Sequence, residues 1–203
     1  MRVLFLAIVL SMATCVHPAY ARTFNIDIIQ VGGFYAMPRQ SVIAAFGITR
    51  DRFAKIGILV KLRRVSSVPP QGPRVDLTTW MRQGWYWQMK LLHKGAKKIY
   101  YVVLPPFHDG NKRYIAGQSF ICSVRRLPSI AVGNAHLFNQ DGTFRFYESA
   151  VVMTHELGHS FGAHHEDSAS LMNPAATILP GVDKLQFSVT SAYQINKCAG
   201  GIR

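Results

Sequence analysis

Three histidines, His155, His159 and His165, with Gly162 between the last two, constrain this chain more than any other feature. On a helix, residues four apart lie on one face one turn apart, so His155 and His159 can share one ion. A third ligand has to arrive from another direction, so the helix must stop. Gly162 is three residues past His159, where a backbone of positive φ can turn sharply. His165 follows three residues later and can swing back. His164 competes for the third place, and the spacing favours His165. Neutral imidazole suits zinc, and three histidines leave a coordination position open, the mark of a catalytic rather than a structural site. Glu156 is not needed to bind one Zn2+ ion. It sits where a carboxylate can take a proton from water activated beside the metal. A structural zinc, or a helix with surface histidines, has no use for it.

The chain has 203 residues, enough for one domain with a real core. Met1-Arg2, the apolar run from Val3 to Ala13 and Ala19-Tyr20-Ala21 read as a signal peptide over residues 1–21, cleaved before Arg22. The alternative is a buried or uncleaved N-terminal helix. No later segment is apolar for long enough to span a membrane. Export implies an extracellular location, or a periplasmic one in a bacterium. Cleavage removes Cys15 and leaves Cys122 and Cys198, for which an oxidising compartment allows a disulfide. Two separate thiols remain the alternative, because sequence does not place the sulfurs in contact.

Lys and Arg number 23 against 10 acids, a net charge of +13. Such a field favours an anionic surface or an acidic protein partner. The cations are scattered, and no helix-turn-helix, RNA-binding signature or zinc-finger spacing accompanies them, so no specific nucleic-acid binding is expected.

Periodicity predicts a strand over Phe24–Val31, a helix over Gln40–Lys55, and a half-exposed strand over Ile58–Val65. A second helix is predicted over Leu77–His93, with Trp80, Trp85 and Trp87 as core residues. Further strands are predicted over Lys98–Leu104, Gly117–Cys122 and Ile130–Val132. Asn139-Gln140-Asp141-Gly142 reads as a turn, and His108-Asp109 and His136 as ordinary loop residues rather than a second metal site. The early βαβαβ run implies a largely parallel sheet, with one later strand antiparallel at the edge. The fold class expected is therefore α/β (α+β).

Extended as H-E-x-x-H-x-x-G-x-x-H, the segment His155–His165 resembles the metzincin clan of zinc metallopeptidases. The resemblance continues at Ser170-Leu171-Met172-Asn173-Pro174, which looks like the methionine turn that forms an apolar floor beneath the metal. It implies that Met172 is that floor. It also implies a twisted, mostly parallel sheet with two long helices in an upper lobe, about 22–162. Below the cleft it implies a small irregular lower lobe, about 163–203, ending in a helix. Val189–Lys197, with Ser188 as N-cap, fits that helix, and Cys198 could tie it to Cys122. Glu166 stands where astacins carry an acid, but no tyrosine follows Met172 as it does in astacins. The overall size and the Leu-Met-x-Pro turn look more like matrixins or reprolysins, but matrixins usually carry Ser or Thr where Glu166 sits, so the subfamily stays open. Between Ala21 and the first strand there is little room for a pro-segment.

The reading is a secreted, monomeric zinc endopeptidase acting on extended peptide or protein chains. The resemblance implies a rim strand that pairs with the substrate backbone, and Ser129–Asn134 is the candidate. The alternative is a basic secreted binding protein with a vestigial zinc site.

Overall fold

The computed structural model describes residues 22–31, 38–68, 94–95, 98–104, 117–134 and 145–200. The signal-peptide segment, the helix predicted over Leu77–His93, and the turns around His108, His136 and Asn139 lie outside the described residues.

Six consecutive apolar residues, Ile99–Leu104, form strand β3, and all six are buried. A strand so uniformly apolar belongs in the middle of a sheet covered on both faces. It is flanked by β1 (Thr23–Val31) on one side and β5 (Ser129–Asn134) on the other, both parallel to it. Beyond β1 lies β2 (Leu59–Val68), also parallel, and beyond β5 lies the short β4 (Gly117–Ser119), antiparallel. The order is β2-β1-β3-β5-β4. The expected parallel sheet with an antiparallel edge is thus present. Half-exposure of β2 follows from its place at the opposite edge. There Arg63 grips the buried Asp27 of β1 with two hydrogen bonds, Nε–Oδ1 2.7 Å and Nη2–Oδ2 2.5 Å.

Two expectations are corrected. β4 ends at Ser119 rather than Cys122, because Cys122 turns into the left-handed region (φ 56°) and its N–H donates to the His159 carbonyl, 2.8 Å. A short 3₁₀ turn, Ser123–Arg125, takes the place of further strand. Ser129–Asn134 is not a rim: β5 pairs with β3 on one side and β4 on the other, so its backbone groups are already used. Among the described residues the edge on this side of the sheet is β4.

Helix α1 (Arg39–Ala54) starts behind Pro38, whose carbonyl accepts the N–H groups of Ser41 and Val42. Helix α2 (Phe146–Ser160) packs with α1 on one face of the sheet. Ile26, Ile28, Tyr101 and Ala131 of the sheet meet Phe46 and Phe53 of α1 and Met153 and Leu157 of α2. Helix α3 (Val189–Gly200) closes the described chain. Its N-terminus is capped by Ser188, whose hydroxyl accepts the Ser191 N–H at 3.0 Å. Phe53 links the layers, lying 5.2 Å from Phe161 and 5.0 Å from Phe187 between ring centroids. Among the described residues no helix is long and apolar enough to cross a membrane.

Candidate metal centre

Helix α2 is buried from Ser149 to Ser160, which explains its apolar run Ala-Val-Val-Met and its length. His155, Glu156 and His159 sit in its last turns, and all three are buried. The chain leaves the helix at Phe161. Gly162 follows with φ 107°, and a Cβ there would lie 2.7 Å from the Cβ of Cys198. A side chain at 162 would thus be strained twice, by backbone conformation and by the close approach of α3.

The turn brings His165 back over the helix. The three Nε2 atoms lie 3.1 Å (His155–His159), 3.1 Å (His159–His165) and 3.2 Å (His155–His165) apart. Three corners of a tetrahedron with zinc–nitrogen distances of about 2.0–2.1 Å are separated by roughly 3.3 Å. His164 is not part of this group, and its backbone N–H donates to Gln194 Oε1.

Tautomers follow from the other ring nitrogens. His155 Nδ1 lies 2.7 Å from the Leu171 carbonyl oxygen, and His159 Nδ1 lies 2.7 Å from that of Ala163. A carbonyl only accepts, so each Nδ1 carries the proton and each Nε2 presents a lone pair. Burial first, then the neighbouring histidines, lowers His155 to a pKa of about 4, outweighing the pull of the Leu171 carbonyl. Burial likewise lowers His159. Neutral imidazoles with converging lone pairs repel one another unless a cation sits between them. The donor set therefore fits Zn2+.

Glu156 lies beside this triad, 5% exposed. Its Oε2 is buried and has no hydrogen-bond partner among the described residues. Burial pushes its carboxyl up to about 8. A divalent cation in the triad would pull it back down. Glu156 and two of the histidines open onto a cavity of ≈ 250 Å³, walled by Val151, Val152, Pro174 and Ala176.

Met172 is fully buried beneath α2. Its Sδ would lie 2.8 Å from a Cβ at Gly158, so only glycine at 158 lets the sulfur come this close under the two helical histidines. The carbonyl of Met172 accepts the Glu166 N–H, 3.0 Å, and the Leu171 carbonyl holds His155. Glu166 gathers four serine hydroxyls: Ser168 and Ser170 on Oε2, Ser188 and Ser191 on Oε1. It thereby ties the segment after His165 to the methionine turn and to the N-terminus of α3. Burial raises its carboxyl, the four hydroxyls lower it, and the net shift is downward.

Cys122 and Cys198 form a disulfide, Cα–Cα 5.8 Å, joining the segment after β4 to the end of α3. Sequence reading did not single out Gly117 or Gly158. A glycine in a strand or helix is a visible signal of close approach, but it does not say what approaches.

No protein-family model and no curated protein sequence matches the chain. Solved structures do. Metalloproteinase-II from Bacteroides fragilis superposes with a TM-score of 0.57 at 15% identity, covering 88% of this chain and 53% of that one. Archaemetzincin from Methanopyrus kandleri gives 0.56 at 18% identity, covering 88% and 96%. Archaemetzincin from Archaeoglobus fulgidus, solved with malonate, gives 0.54 at 14% identity, covering 84% and 99%. The chain thus spans about half of the Bacteroides protein and nearly all of each archaemetzincin. At such identities the likeness establishes architecture: this chain shares the fold of a bacterial metalloproteinase and of two archaemetzincins.

Proposed function

We propose that the chain is a zinc-dependent endopeptidase of the metzincin type, in which His155, His159 and His165 hold the metal and Glu156 is the general base. The observation that carries this is the convergence of three Nε2 lone pairs beside a buried carboxylate oxygen that lacks a partner. Zinc bound there would supply the Lewis acidity that polarises a peptide carbonyl and makes an attacking water acidic near neutral pH. Glu156 takes the proton from that water at Oε2 and delivers it to the departing amine. Met172 forms the apolar floor under the helical pair. Strand β4, at the sheet edge among the described residues and next to Glu156, is the rim where an extended substrate backbone pairs. The names of the structural neighbours support peptide bonds as the substrate class. Export through a cleaved segment ending at Ala21 is part of the reading, supported by the disulfide, which suits an oxidising compartment.

The test is cleavage of a diverse peptide mixture, read by mass spectrometry, with zinc-loaded wild type and Glu156→Ala side by side. We expect internal cuts from the wild type only, at equal zinc content. Full activity in Glu156→Ala would refute the role of the base. No cuts by the zinc-loaded wild type would favour a binding protein that uses its basic surface.

A further inference from the structure

Glu156 does not stand alone against the sheet. Gly117 of β4 and Gly133 of β5 are directly opposed in the antiparallel ladder. Opposed residues present their Cβ positions on the same face, about 4.5–5.5 Å apart. At this pair neither strand supplies a side chain, and two groups from elsewhere fill the gap. A Cβ at Gly117 would lie 2.4 Å from Glu156 Cγ, 2.6 Å from its Oε1 and 2.6 Å from the Val132 carbonyl oxygen of β5. A Cβ at Gly133 would lie 1.7 Å from the hydroxyl oxygen of Tyr101. The phenol and the carboxyl therefore occupy adjoining halves of one notch cut into the sheet. Tyr101 comes from β3, is 3% exposed, and its ring cannot swing out because β3 is covered on both faces. Burial first, and then the charge of Glu156, holds the phenol protonated. A further tie keeps β4 against α2: Ser119 Oγ meets Ser160 Oγ at 2.5 Å.

We propose that Gly117, Gly133 and Tyr101 form a shelf that sets the position of the Glu156 carboxyl, with Tyr101 a positioning residue that acts through it. The inference rests on the reading of Glu156 as the base. The helix fixes only the Cα of Glu156, and its side chain has rotatable bonds left. The glycine notch receives the Cγ, and the rigid phenol closes the space beyond it. Oε1 is held against the shelf, which leaves Oε2, bound by no described residue, available.

The experiment compares wild type, Gly117→Ala and Tyr101→Phe on three readouts: kcat and KM on a peptide found in the cleavage screen, zinc affinity by competition with a chelator, and the crystal structure of the zinc-loaded protein. In Gly117→Ala we expect a displaced carboxylate and a kcat lower by about 100-fold, the scale of an ångström-sized misplacement of a catalytic group. In Tyr101→Phe, which removes only the hydroxyl, we expect a kcat lower by roughly tenfold. Zinc affinity should stay within about twofold in both, because neither change touches a metal ligand, and KM should stay within about twofold in Tyr101→Phe, which leaves β4 as it is. A merely structural role would instead lower zinc affinity and thermal stability together and move KM with kcat. The shelf is overturned if the carboxylate keeps its place in Gly117→Ala, or if Tyr101→Phe turns over like the wild type. Should the wild type itself cut no peptide, the peptidase reading falls, while the carboxylate position in the two variant crystals still decides the shelf.

Discussion

His155 and Glu156 are neighbours in sequence and both are buried, yet burial moves their proton equilibria in opposite directions. The histidine is held neutral down to about pH 4, while the carboxyl is held neutral up to about pH 8. The unfolded chain protonates its histidines near pH 6.5, so the contribution of His155 is present above that value and is lost as pH falls toward 4. The unfolded chain ionises Glu156 near pH 4.5, so its contribution is present below that value and is lost as pH rises toward 8. Metal-free protein should thus be most stable in the weakly acidic range between, and zinc should extend that range upward by stabilising the carboxylate. Thermal unfolding across pH, with and without zinc, checks this. Metal-free Glu156→Gln should gain stability over wild type at pH 8, by about 1–3 kcal/mol, since no buried charge is then required. Equal stabilities at pH 8 would mean that the carboxylate is better solvated than its burial implies.

At the scale of elements, the site depends on where α2 stops and on what slides beneath it. The three histidines, Glu156 and the turn at Gly162 were legible in the sequence because helical period and ligand chemistry are local rules. The contact of Met172 with Gly158 was not legible, since it joins residues that meet only after the chain has folded under the helix. Gly158→Ala should push the methionine away from the helix or tilt α2. A loss of about 1–3 kcal/mol of stability is expected from such overpacking, along with weaker zinc binding. Chemical unfolding and chelator competition measure the two effects. An unchanged zinc affinity would show that the floor and the ligands are independent. Glu166 carries a similar lesson: sequence showed an acid after the third histidine, and folding added the hydroxyls of Ser188 and Ser191 from the distant start of α3 to those of nearby Ser168 and Ser170.

The whole molecule is held across its parts by a few long-range ties. The disulfide closes a loop of 76 residues, and Arg52 of α1, itself buried, donates to the carbonyls of Val182 and Asp183 at 3.2 and 3.5 Å. Chain-entropy reasoning for a loop of this length gives a contribution of about 4–5 kcal/mol. Cys198→Ser should therefore lower the denaturant midpoint by an amount equivalent to at least about 2 kcal/mol. Wild type in reductant should fall to the same midpoint, and no shift in either would mean that α3 is held by packing alone. By itself the sequence determined the helix that carries the ligands, its end, the parallel sheet and its antiparallel edge. Those depend on period, on turn chemistry and on the burial pattern of short runs. Tertiary structure alone decided which strand lies at the sheet edge beyond β5, which glycines make room for Glu156 and for Met172, and that Cys122 and Cys198 meet. Each of these is a contact between segments far apart in the chain. The pattern along one segment shows that it will be buried, and only the packed fold shows against what.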